Sequence, residues 1–544
     1  MSGILMGLAP VKAWPLAWIA LVPLWRITHH LPARYQRQTN IQTNIQTNLQ
    51  TNLQTNLQTN LQTDTNTTIK TITAFGGAAI WGVAYHGTAL AWITAWQQPL
   101  IWLGVPWLAS GVIALFAWLF ITLWGAAIGM TWLALMMAVS RWHPLKGIVR
   151  VLVGTALWCA VEWVWSKGPL YWTSLSYTQS PDNLAALQLG QLSGPITITA
   201  AIVVVNGLLA EIWEAMTWDD ICKHRYFELR EVRRYWLGAI AFFIALHLVG
   251  LGLYSHPLAD RDDQALLVGL IQGNISTKEK ILGEKGPSSQ QVYLEGYERL
   301  AAQGAELVVT PEGAIPAVWN SLPKRNLIQR TVANNGVPLI LGTFVHQNMA
   351  RNQGPLTQSL LSLTSAGSVM GRYNKVKLVP LGEYLPFEPI LGPIVNRVSA
   401  FGSLMPGRFD QQLNTPFGPM AAGICYEAAF AELYRQQVNR GGQAILTASN
   451  NDPYGSRQMM QHHAQDVMRA IETDRWEVRV TNTGISGVVD PRGRSQWLSE
   501  PNTYTTHLAN IYRRHTMTPY VRWGDWLTPL LLGVSAILLG RAQG

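Results

Sequence analysis

Charge is scarce in this 544-residue chain: 13% of its residues are Asp, Glu, Lys or Arg, while 48% are hydrophobic. An ordinary soluble domain carries about 25% charged residues, so the deficit excludes a disordered chain and argues against a purely cytosolic enzyme. Cysteine is scarcer still. Cys159, Cys222 and Cys425 form no CxxC pair, which excludes a disulfide framework and a cysteine zinc site. No phosphate-cradling GxxxxGK occurs. Acidic residues are the minority, 31 against 40 basic, for a net charge of +9. The basic residues fall in short loops between apolar segments, which is a membrane-topology pattern and not a nucleic-acid one.

What the chain has in quantity is apolar length. Stretches close to the roughly 20 residues that cross a bilayer occur near 14–25, 74–96, 112–139, 148–165, 192–213 and 235–254, with a shorter one at 523–539. The run 3–25 reads as one span or as a helix that the chain enters midway. A signal peptide is not expected, since no basic residue precedes Gly3. Arg26, Arg34, Arg37 and Lys70 share one loop; Arg141, Lys146 and Arg150 share the next but one. Lys223, Arg225, Arg230, Arg233 and Arg234 crowd the third, Arg541 follows the last span, and Lys167 is the exception between them. Cytoplasmic loops collect Lys and Arg, so parity puts the segment from about Ser255 to Tyr520 outside. The expected organisation is an N-terminal transmembrane helix bundle over 1–254, an extracytoplasmic domain over 255–520 and a C-terminal transmembrane helix over 521–544. The IQTN/LQTN repeat at 38–64 slips on a 3.6-residue helix and reads as a low-complexity cytoplasmic loop without function. Trp165, Trp172, Trp523 and Trp526 are expected interface anchors, and His86 and the His29–His30 pair membrane-flank residues.

After Ser255, short apolar runs alternate with turn signals and a helical pattern near 290–303: ALLVGLIQ, ELVVTPE, VPLILGTFV, SLLSLTSAGSVMGRY, MAAGICYE, AILTASN, EVRVTNT and SGVVDPRGR. Buried strands flanked by helices predict an α/β domain. Three strand ends carry residues that burial does not require: Glu312 after VVTP, Lys375 in RYNKVKLVP, and Cys425 after AAGI. In α/β sheets the crevice beyond the carboxyl ends is the usual ligand site. A Cys nucleophile needs a base, which a carboxylate can supply, and a cation or N–H donors for the developing oxyanion. His462, His463 and Asp466 are refused as a metal site, because adjacent His side chains diverge on a helix.

The order Glu312, Lys375, Cys425, set in PEGAIP, YNKVKLVPLGEYLPF and ICYE, resembles the nitrilase (carbon–nitrogen hydrolase) superfamily and, within it, the apolipoprotein N-acyltransferase family. The resemblance runs from AWPLAWIALVPL to TPYVRWGDW. It implies a multi-pass α-helical membrane bundle plus an α/β nitrilase-like domain, a four-layer α-β-β-α sandwich. By motif, Glu312 is the general base, Lys375 the oxyanion stabiliser and Cys425 the acyl-accepting nucleophile. Glu383 matches a second glutamate near the site. Tyr426 and Glu427 follow the nucleophile, and the Tyr426 N–H completes the oxyanion hole. SNND at 449–452, QHH at 461–463 and TNTG at 481–484 are site-shaping motifs. The implied donor is a membrane phospholipid, and the acceptor is the amine of diacylglyceryl-cysteine on an apolipoprotein, with no cofactor or metal. The implied setting is a monomer in a bacterial inner membrane, its catalytic domain in the periplasm. Two places depart from the family: Ser276 and Ile281 stand where it has Pro and a Trp arm, and Pro453 and Tyr454 where it has an aromatic pair. The rival enzyme is a membrane-tethered amidase using the same three residues. A transporter would need a series of intramembrane charges, and Glu162 and Glu211 do not make one.

Overall fold

Apolar runs with no polar stripe become helices that are greasy all round. The computed structural model has α1 (Leu53–Ala89), polar in its first half and apolar only after it, and then the apolar helices α2 (Trp107–Ser140), α3 (Gly147–Trp165), α4 (Pro195–Ala215) and α5 (Arg230–Ser255). The residues described are 1–30, 53–143, 145–216, 230–282, 288–349, 351–380, 382–384, 403–452 and 454–541. Arg34, Arg37, Cys222, Lys223, Arg225, Pro453, repeat residues 38–52 and the side chain of Ile281 lie outside that description. Helices α2 to α5 are each long and apolar enough to cross a membrane.

Two spans differ from expectation. The run 3–25 is not one continuous span. It forms helices Ser2–Leu8 and Val22–Ile27 with a 3-10 turn, Trp14–Trp18, between them. Pro10, Pro15 and Pro23 remove amide donors along this run, and Val11 and Lys12 turn with φ of 63° and 91°. The span expected to reach residue 96 ends as α1 at Ala89, and the chain continues in a 3-10 turn, Ala91–Trp96. At its other end α1 starts at Leu53, so the second half of the repeat is helical, not loop; a four-residue period lies close enough to 3.6 for a helix to accept it. Inside the bundle, Trp132 is fully buried and packs edge-on against Trp25 (5.0 Å) and Trp158 (5.4 Å).

Among the described residues the α/β domain holds twelve strands. The first six are β1 (Ala265–Gln272), β2 (Leu307–Val309), β3 (Leu339–Asn348), β4 (Gln353–Leu363), β5 (Val369–Asn374) and β6 (Leu413–Thr415). The others are β7 (Gly418–Ile424), β8 (Ile445–Ser449), β9 (Glu477–Thr481), β10 (Gly487–Val489), β11 (Ser495–Leu498) and β12 (Thr505–Tyr512). They make two six-stranded sheets, ordered β12-β1-β2-β3-β4-β5 and β11-β10-β9-β8-β7-β6. Within each sheet the central trio, β1–β2–β3 or β7–β8–β9, is parallel and the flanking pairs are antiparallel. Period-2 alternation sorts the side chains: Leu307 and Val309 face the core between the sheets with Leu446 and Val478, while Val308 faces the outer helices. Helices α6 (Ser289–Ala302) and α7 (Leu327–Asn335) cover the first sheet. Helix α8 (Ala431–Asn439) covers the second, with α9 (Ser456–Thr473) beside it. This is the four-layer sandwich expected. Val467, Met468 and Ile471 of α9 belong to the bundle's own apolar core, so α9 joins the domain to the bundle. The chain ends in α10 (Leu527–Arg541), a shorter apolar helix whose Leu527 and Leu531 pack against Cys159 of α3.

Candidate functional site

Because β5 runs antiparallel to β4, and β4 to β3, its carboxyl end lies on the same side as that of β2. Glu312 and Lys375, which follow these two strands, are thereby brought together. The Glu312 loop folds hard over β3: a Cβ at Gly342 would lie 2.0 Å from the Pro311 carbonyl oxygen, so only glycine fits. Lys375 is completely buried. Its Nζ donates to Glu312 Oε1 at 2.8 Å and to Glu383 Oε1 at 2.5 Å. Burial by itself lowers the Lys375 pKa, but the two carboxylates outweigh it and hold the ammonium protonated well above its ordinary range. Burial pushes the Glu383 carboxyl up, against the pull of Lys375.

Cys425 follows β7 and sits at φ +52°, the left-handed region that a non-glycine residue occupies only under strain of roughly 1–2 kcal/mol. The strand stops there and a 3-10 turn, Cys425–Ala429, begins. Burial, with Glu312 nearby, pushes the thiol up to about 12, so at rest it carries its proton. The Sγ faces the Asn450 carbonyl at 3.9 Å. The Asn450 N–H in turn donates to Glu312 Oε2 at 2.8 Å. Glu312 therefore has one oxygen on the ammonium and the other on the end of β8.

Glu427 is buried and accepts four hydrogen bonds: from Ile424 N (2.7 Å), Val376 N (2.6 Å), Lys377 N (3.0 Å) and Tyr373 Oη (3.0 Å). It ties the Cys425 turn to the segment carrying Lys375. Burial raises its pKa to about 7 against those backbone donors. The Tyr426 side chain points away from this cluster: its hydroxyl donates to the Pro169 carbonyl at 2.6 Å, and its ring stacks on Trp172 with centroids 6.0 Å apart. Trp172 is thus a wall between bundle and site, not the interface anchor its position in sequence implies. Its Nε1 and that of Trp92 both donate to Gln461 Oε1, at 2.8 and 2.9 Å. Tyr454 packs edge-on against Trp92 at 5.2 Å.

The motif asparagines frame the same crevice. Asn482 Nδ2 donates to the Ile275 carbonyl at 2.5 Å and to Asn450 Oδ1 at 3.2 Å. His462 and His463 diverge as adjacent helical residues must, the first toward Asn451 and the second toward Ser495. Sequence reasoning missed Trp92, which nothing in its loop marks, and Lys280. The Lys280 ammonium donates to the Gly313 carbonyl at 3.3 Å, and burial lowers its pKa to about 8 against the pull of Glu312 and Asp452.

Two stacked sheets with a cysteine, a lysine and two glutamates at their carboxyl ends define a carbon–nitrogen hydrolase domain, and the Carbon-nitrogen hydrolase profile matches residues 267–514. A second profile, Apolipoprotein N-acyltransferase N-terminal domain, matches residues 60–208. The apolipoprotein N-acyltransferase of Nostoc sp. is 44% identical over 97% of this chain and 96% of its own length. That of Synechocystis sp. is 43% identical over 85% and 88%. Among solved structures, Nit3 of Saccharomyces cerevisiae, a member of branch 10 of the nitrilase superfamily, aligns at 19% identity over 46% of this chain and 90% of its own, with a TM-score of 0.35. The chain belongs to the apolipoprotein N-acyltransferase family.

Proposed function

We propose that this acyltransferase moves a fatty acyl group from a membrane phospholipid onto Cys425, and from there to the α-amine of diacylglyceryl-cysteine on an apolipoprotein. The observation that carries the reading is the thiol, carboxylate and ammonium gathered at one end of the sheets against the bundle residues Trp92 and Trp172. A thiol pushed up to about 12 is inert near neutral pH without a base. Glu312 takes that proton. The thiolate attacks the ester carbonyl, the carbon–oxygen bond breaks, and the proton on Glu312 passes to the departing lysophospholipid oxygen. In the second half the acceptor amine attacks the thioester carbon and yields a proton to Glu312. The carbon–sulfur bond then breaks, and the thiolate recovers the proton. Lys375 stabilises both tetrahedral oxyanions with the Tyr426 N–H beside it, and one such donor contributes about 3–4 kcal/mol. Glu383 keeps Lys375 aimed. Glu427 and Tyr426 hold the nucleophile turn to the Lys375 segment and to the bundle.

The reading includes a bundle over 1–254, a catalytic domain over 255–520 facing the periplasm and a closing span over 521–544, working as a monomer in a bacterial inner membrane. It is supported by the basic loops and by apolar helices on both chain flanks of the domain. The test is intact mass spectrometry of purified protein given phosphatidylethanolamine in detergent. One acyl mass should appear, hydroxylamine should remove it, and Cys425→Ala should lack it. No adduct, with no lysophospholipid released, overturns the phospholipid donor in favour of amide hydrolysis.

A further inference from the structure

A cavity of about 550 Å³ opens where the carboxyl end of α3 and the amino ends of α4 and α10 meet the α/β domain. None of Glu312, Lys375, Glu383 or Cys425 lines it, so it is separate from the site above; its inner wall is the far side of the Cys425–Ala429 turn and Phe430. Its charged lining is Lys167, Lys377 and Arg435 against Glu162, Glu432 and Asp525.

The acids are already occupied. Glu162 accepts from the Ser174, Thr199 and Tyr171 hydroxyls and the Trp158 indole. Glu432 is held by Arg435 at 2.6 and 2.7 Å and by Gln436 at 2.9 Å. Asp525 caps α10, accepting from the Thr528 amide and hydroxyl and from Ser193. Among the described residues the two lysines make no ion pair, although the Lys167 charge is felt by Glu432 and Asp525. Among the described residues Lys377 Nζ reaches the Lys167 carbonyl, at 3.2 Å, and the Phe430 ring, at 4.6 Å. The Lys167 ammonium lies 5.2 Å from the Trp163 ring centroid. Among the described residues neither has a carboxylate within ion-pairing distance. Burial and then the Lys167 charge lower the Lys377 pKa, so the two ammonium groups repel each other across the cavity, and a shared anion relieves that.

The volume exceeds what a bare inorganic anion fills and suits a ligand of headgroup size. At the rim Trp163 and Trp523 are exposed, as interface tryptophans are. Below them Val164 of α3 and Leu530 of α10 offer outward apolar surface. We propose that this cavity is a second phospholipid site, with the phosphodiester between Lys167 and Lys377 and the acyl chains along α3 and α10. The lipid bound there is not the acyl donor. It braces the nucleophile turn from behind, through Phe430, which packs on Tyr426 at 5.1 Å, and through Lys377, whose amide holds Glu427.

The experiment uses full-length Cys425→Ala protein, which cannot form an acyl-enzyme, so its outcome is independent of the thioester reading. Native mass spectrometry counts the phosphatidylglycerol molecules retained from detergent. Adding Lys167→Ala and Lys377→Ala should reduce the count by one and weaken that lipid about thirtyfold, roughly 1 kcal/mol for each lysine at the membrane surface. Lys167→Arg with Lys377→Arg should restore it. Glycerophosphoglycerol, the same headgroup without chains, and inorganic phosphate should not displace it. An unchanged count in the double alanine variant overturns the site. Displacement by the chainless headgroup or by phosphate overturns the lipid and leaves a soluble-anion site. Should the alanine pair fail to fold, Lys167→Gln with Lys377→Gln is read by the same criteria.

Discussion

In the bundle, Trp107, Phe116 and Leu123 of α2 face outward while Glu162 is buried among hydroxyls. In the α/β domain the apolar side chains turn inward, and what is buried beside them is fully charged: Lys375 between two glutamates, Arg469 on Glu472 at 2.5 Å, Arg479 on Asp466. The outside of the first region is lipid and of the second is water, which explains the surfaces. The interiors differ for another reason. A spanning helix has few charges to pair, so neutral donors must satisfy the lone carboxyl. A domain folding from water can bring whole ion pairs inside, and here they gather at the catalytic crevice and on α9, the helix that touches the bundle. Among the described residues the bundle has one ion pair that is buried, Arg150 with Glu211 at 3.0 Å, joined by His29 at 3.1 Å.

That contrast can be broken in three places. Lys375→Met leaves Glu312 and Glu383 facing each other without a cation, which should cost about 3–5 kcal/mol of stability. It should also slow acyl-enzyme formation by at least about 10²–10³-fold. Unfolding in detergent and single-turnover mass spectrometry read the two separately. A stable, active Lys375→Met variant would remove the lysine from the site. Next come two aromatic residues of the bundle. Trp132→Ala, at a position with no exposure, should cost about 3–5 kcal/mol. Phe116→Leu, at a position 65% exposed, should stay within about 0.5 kcal/mol. Equal melting shifts would mean that α2 does not present Phe116 to lipid.

The smallest effect is one of pH. Folded Glu427 holds its proton up to about 7, whereas its ordinary value is 4.5. Across that window the folded state binds more protons than the unfolded one. Its contribution is therefore complete below about 4.5 and is lost as pH rises through 7, a decline on the order of 3 kcal/mol. Glu427→Gln should lower stability at every pH, since an amide cannot accept all four donors, and should flatten this slope. A slope that survives the substitution assigns the titration to another group.

The eight strand-like runs read from the sequence correspond to β1 to β5 and β7 to β10, because alternating or continuous apolar residues are what a buried strand requires. The strands not foreseen were β6, β11 and β12. β6 has three residues, and β11 and β12 lie at sheet edges with half-exposed side chains and carry little pattern. The site was legible as types of residue at strand ends: Glu312, Lys375 and Cys425 stood out because a buried strand needs none of them. What the bundle brings to it was not legible. Trp92 and Trp172 come from loops far away in sequence, among many tryptophans, and no local rule distinguishes one that walls a crevice from one that meets headgroups.

Helix α9 has a consequence for how the protein is made. Its residues from Gln458 to Thr473 are almost all buried, one side against the second sheet and the other in the bundle's core. Arg469 binds the Tyr177 hydroxyl and the Ala428 carbonyl together, at 3.1 and 2.6 Å. A domain excised by cutting the chain on either side of 255–520 would carry a raw seam along α9 and an arginine that keeps Glu472 and Ala428 but loses Tyr177. The ribosome delivers the bundle first, so the surface that covers α9 and receives Arg469 is made before the domain that needs it.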